Sequence, residues 1–159
     1  MAQYAENTKV PVEKTQTEIR NLVRAHGADK FLFFEDDDRG GAVIQFFLSD
    51  RMIRFHLPLP SRYEKRFTQT PAKGWKRSEY TAEKEWLQAC RANWRGLYLI
   101  IKAKLEAISL GISIFDDEFM ANIVLSDNKT VGQRVRPRIQ LEYETGAPVA
   151  MLPAPDNEE

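Results

Sequence analysis

From Thr81 to Ser109 the residues Trp86, Ala89, Cys90, Trp94, Leu97, Ile101, Leu105 and Ile108 recur at three- and four-residue spacing. That period puts them all on one stripe of a long α-helix, and such a stripe has to be buried against a second layer. Thr81 is placed to cap the start, Glu83 and Glu85 sit where the helix dipole favours acids, and Gly111 follows the end. Gly96 costs about 1 kcal/mol against alanine inside a helix, which points to close packing at that position.

The second layer lies upstream. Lys30–Glu35, Ala42–Leu48 and Arg51–Leu57 read as strands, with Gly40-Gly41 closing an acidic turn and Ser49-Asp50 joining the last two as a hairpin. Alternation places Ile44, Phe46 and Leu48 on one face, together with Ile53, Phe55 and Leu57. Gln45, Phe47, Met52, Arg54 and His56 fall on the other, and Pro58 and Pro60 stop the sheet. A shorter amphipathic helix is expected over Val12–His26 on Ile19, Leu22 and Val23, ending at Gly27. Downstream, Phe115, Phe119 and Ile123 suggest a short helix over Asp116–Val124. A last helix is capped by Thr130 and runs to Glu144 before Gly146, with a kink or break at Pro137. The expected architecture is α+β: a three-stranded antiparallel sheet packed against the long helix, with flanking N- and C-terminal helices. One domain spans 12–146, between a flexible lead at 1–11 and a Pro-punctuated acidic tail at 147–159.

Lysine plus arginine and aspartate plus glutamate number 23 each, so charge recruits a partner only through local patches. The single cysteine excludes an internal disulfide framework and suits a reducing compartment. The N-terminal stretch lacks the apolar core of a signal peptide, and the longest apolar run, Leu97–Ile101, is far below the roughly 20 residues that span a bilayer. No membrane association is expected.

Catalytic chemistry finds little support. His26 and His56 are in no ligand spacing, and the acids of Glu35–Asp38 and Asp116–Glu118 sit in a turn and at a helix start, where acids are favoured without any ligand. Cys90 lies on the apolar stripe, where a thiol is an inert small hydrophobe. Nucleophile elbows, phosphate-binding loops and dinucleotide fingerprints are absent from the sequence. Neither a catalytic residue, a metal site nor a cofactor is expected, and the chain reads as non-enzymatic.

One constellation stands out. Between Arg62 and Arg77 the chain interleaves Arg62, Lys65, Arg66, Lys73, Lys76 and Arg77 with Tyr63, Phe67 and Trp75, against the single acid Glu64. Cations neutralise phosphates while flat rings stack on bases, which is what single-stranded nucleic acid requires. Arg54 and His56, with Phe47, extend that expected surface onto the outer sheet face. The alternative reading tucks these aromatics into the core, with the outer sheet face covered by the C-terminal helix, and leaves a protein-interaction module that modulates an enzyme. The acidic tail Asp156–Glu159 adds little by itself.

The strings VPVEKTQTEI, HGADKF, RMIRFHLPLP, WRGLYLIIKAKLEAISLGI and FDDEFMANIVLSDNKTVG resemble a family of bacteriophage and prophage proteins of unknown function. The resemblance covers most of the chain apart from its two ends. It implies a small phage-derived protein acting in the bacterial cytoplasm, in phage DNA metabolism or in interference with host proteins.

Overall fold

A computed structural model describes residues 5–36 and 40–152. The outer acids Asp37 and Asp38 of the first turn, and the tail Asp156–Glu159, lie outside those residues. In chain order the elements are α1 (Val12–Ala25), β1 (Asp29–Asp36), β2 (Gly41–Leu48), β3 (Arg51–Pro58), α2 (Lys65–Thr68), α3 (Glu79–Ser109), α4 (Phe115–Phe119) and α5 (Val131–Thr145). The class is α+β, and the sheet is antiparallel in the order β1-β2-β3.

Register decides which residues meet α3. Ile44 pairs with Phe55 and Phe46 with Ile53, so the alternating apolar positions of β2 and β3 form one continuous face. Trp94, Leu97, Ile101 and Leu105 of α3 are buried against it, and Phe119 from α4 closes one end. Trp94 packs edge-on against Phe33, with ring centroids 5.6 Å apart, and Phe119 is edge-on to both Phe46 and Phe55. α1 lies beside α3 in the same layer, burying Ile19 and Val23, and an ion pair between Arg95 and Glu18 joins the two helices.

Ser49 and Asp50 both adopt positive φ, 51° and 58°, so the β2–β3 hairpin turn is of the primed kind that matches strand twist, although neither residue is a glycine. Gly41 is required sterically, because a Cβ there would stand 2.6 Å from the carbonyl oxygen of Leu57. Gly132 is required likewise, since a Cβ would stand 2.9 Å from the carbonyl oxygen of Ala121 where α5 crosses the end of α4.

Several local expectations need correction. Ser78, not Thr81, caps α3: its hydroxyl accepts from the Thr81 amide at 3.2 Å, so the helix begins three residues earlier. Gly96 is not a point of close approach, for no atom lies within 4 Å of where its Cβ would be. The helix over 116–124 is cut to Phe115–Phe119 plus one 3₁₀ turn, because Ile123 bridges to Ile53 and the Val124 amide donates to the Met52 carbonyl at 2.8 Å. The chain there trades helix for pairing along β3. Pro137 does not break α5, which is assigned as one helix from a capping box at Thr130 and Gln133 to Gly146. Residues 5–10 are held along α3, where Gln88 Nε2 donates to the carbonyls of Glu6 and Thr8, both at 2.9 Å. Among the described residues no helix is long and apolar enough to cross a membrane.

Candidate nucleic-acid interface

The 61–80 segment is a built ledge against the N-terminal half of α3. Trp86 of α3 donates from Nε1 to the Pro60 carbonyl at 2.7 Å and anchors the start. Phe67, the inward residue of the single-turn α2, is buried and fixes the middle. The Arg77 amide donates to Thr68 and the Thr70 amide to Trp75, both at 2.8 Å, which folds 68–77 into a small hairpin bridged at Gln69 and Lys76. Gly74 turns its tip with φ at 64°.

That construction turns aromatic rings outward. Tyr63 is 82% exposed, Trp75 66% and Tyr80, in the first turn of α3, 77%. Lys65, Arg66, Lys73 and Lys76 are exposed alongside them. Lys73 Nζ stands 4.8 Å from the centroid of Trp75, so the most exposed indole already carries a cation on its face. Lys65, Lys73 and Lys76 form no ion pair with a described carboxylate, whereas Arg66 is held by Glu64 at 2.7 Å. Arg62 is exposed but stacks over Trp86 at 4.5 Å from the ring centroid. Arg77 is largely covered, with Nη1 at 4.0 Å from Glu85 Oε1, and serves the fold of the ledge more than its surface.

Arg54 and His56 are elsewhere. Both lie on the sheet face turned away from α3, while the ledge packs on α3 across the other face. Arg54 is committed within the protein: Nε donates to Gln45 Oε1 at 2.9 Å, Nη1 to the Asn128 carbonyl at 2.8 Å, and Nη2 to Asn128 Oδ1 at 2.6 Å. It clamps the turn before α5 onto the sheet. His56 and Arg54 share a shallow recess with Thr130, Gln133 and Arg136. The nine expected residues therefore divide into two groups, and of the further arginines in α5 Arg134 is paired with Asp127 at 3.3 Å while Arg136 lines the recess beside Arg54 and His56. No acid lies between Lys129 and Glu142, and that acid-free run is the sequence signal for these arginines.

Beside the ledge a cleft of about 900 Å³ runs between Pro60, Arg62, Tyr63, Trp86 and the Gly40-Gly41 turn, with Cys90 at its base. Cys90 is buried, and desolvation pushes its thiol above the ordinary range, with Glu35 adding to the effect and Arg62 and Arg91 opposing it. Such a thiol is a poor nucleophile near neutral pH. No group of three or more metal-ligating side chains converges among the described residues.

The chain has no match among family models, curated proteins or solved structures. The functional reading therefore stands on the geometry of the ledge.

Proposed function

We propose that this chain is a non-enzymatic accessory protein, of the phage type its sequence resembles, that binds single-stranded nucleic acid, DNA foremost, along the 61–80 ledge. The observation that carries the reading is the outward presentation of Tyr63, Trp75 and Tyr80 among Lys65, Arg66, Lys73 and Lys76. Large rings are ordinarily withdrawn from water, and a fold that spends a bridged hairpin on exposing one gives it a surface role. Stacked bases would gain about 1–3 kcal/mol per ring, and the lysines would displace counterions from phosphates. Arg54 contributes by holding the α5 turn rather than by touching the ligand.

The two kinds of residue fail differently, and that difference is the test. Replacing Lys65, Lys73 and Lys76 with alanine removes up to three phosphate contacts and flattens the dependence of log affinity on log salt by roughly 2 for a single strand. Trp75→Ala removes stacking, weakening binding by about 1–3 kcal/mol with that slope nearly unchanged. Equal loss of slope in both variants, at unchanged melting temperature, would remove the ledge as the binding surface.

A second reading, a module that binds a host or phage protein, is favoured by Leu110, Ile112 and Ile114. These lie between α3 and α4 and are each at least 63% exposed. It takes precedence if alanine at these three positions abolishes capture of a host or phage enzyme while oligonucleotide binding is absent.

A further inference from the structure

β1 is an edge strand. Its far side pairs with no other strand, and none of its backbone groups bonds to a described residue beyond β2. Natural sheets blunt such an edge with charge, proline, a bulge or a covering segment, and β1 carries a bulge between Asp29 and Leu32, which leaves Leu32–Asp36 in regular register. Here the centre of the strand is Phe31-Leu32-Phe33-Phe34, and on the outer face Leu32 and Phe34 are 49% and 45% exposed. An exposed apolar edge of this length is a template for another strand.

We infer that the occupant is a second copy of this chain, paired antiparallel through β1 about a twofold axis at Phe33, so that two three-stranded sheets become one of six. Residues opposed across an antiparallel pair share a face, so only registers that keep parity preserve both the core face and the outer face. Centring on Phe33 sets Leu32 opposite Phe34 of the second copy, twice, and covers both exposed apolar residues. On the α3 side the same register sets Phe31 opposite Glu35. Arg20 of α1 already stands over Phe31 and Phe33, its Cζ 5.5 and 5.8 Å from the two ring centroids. Neither Arg20 nor Glu35 has an ion-pair partner among the described residues, and directly opposed side chains in such a pair lie about 5 Å apart at Cβ. Each Glu35 carboxylate thus arrives beside the Arg20 guanidinium of the other copy, forming two symmetric ion pairs.

The inference uses none of the ledge's cations or exposed rings, although Glu35 lines the cleft that also holds Arg62 and Tyr63. Sedimentation velocity of the full chain, from micromolar to submillimolar concentration, tests it. The wild type is expected to shift toward twice 18.4 kDa as concentration rises. Leu32→Lys with Phe34→Lys is expected to hold the chain at monomer mass with its melting temperature kept, because both side chains are half exposed. Arg20→Glu and Glu35→Arg are each expected to weaken the dimer, and the two combined in one chain to restore it. A wild type that stays monomeric throughout, a dimer indifferent to the two lysines, or a charge reversal that the combined variant does not rescue would each overturn the assignment.

Discussion

Trp94→Ala and Trp75→Ala are the same chemical change made at opposite ends of the burial scale. Trp94 is 2% exposed, edge-on to Phe33 and inside the seam between α3 and the sheet. Truncating it leaves a cavity between two rigid layers, where large-to-small changes cost about 3–5 kcal/mol. For a domain of this size each kcal/mol moves the melting temperature by about 2–4 °C, so the midpoint should fall by roughly 10 °C. Trp75 is 66% exposed at the hairpin tip, and its loss should stay within about 0.5 kcal/mol, a shift of under ~2 °C. Thermal unfolding followed by far-UV circular dichroism reads both on one instrument. If the two variants melt together, either α3 does not lie on the Ile44–Phe55 face or Trp75 is a core residue, and the account of the fold or of the ledge fails accordingly.

Three smaller perturbations probe single features. Gly96→Ala should raise stability by up to about 1 kcal/mol in urea unfolding, because its Cβ meets no atom within 4 Å; destabilisation would reveal packing that the open space denies. Replacing Ser49-Asp50 with Asn-Gly should stabilise by roughly 0.5–1 kcal/mol by relieving two positive-φ residues, and no gain would argue against the primed turn. Cys90 should resist a thiol reagent in the native protein and react once urea unfolds it. Its folded pKa is raised, so above the unfolded thiol's pKa, about 8.5, the unfolded chain ionises first and stability should decline with rising pH; Cys90→Ala should abolish that component.

The sheet and α3 were readable because alternation in β2 and β3 and a three-four repeat in α3 are consequences of burial on one side only. The same logic misled at Ile123. Its spacing from Phe119 continues a helix, yet tertiary pairing with Ile53 drew it into an extended conformation, and local periodicity carries no record of a partner seventy residues away. Ser78 cannot be told from Thr81 as the cap by sequence, because Thr81 has the same chemistry three residues later, and the two hydroxyls meet at 2.9 Å. The ledge was legible as composition but not as form. Its hairpin rests on three backbone hydrogen bonds and one bridge, without alternation to announce it. Arg54 was legible as a cation on the outer face, but its partner Asn128 lies 74 residues on, so sequence alone could not show that its donors were already committed.

The most direct measurement is the affinity of the wild-type chain for labelled single- and double-stranded oligonucleotides, by fluorescence anisotropy at two salt concentrations. The account predicts tighter binding of the single strand at low salt and a marked loss at high salt, as counterion release requires. Absence of a signal for any oligonucleotide at low salt would contradict it.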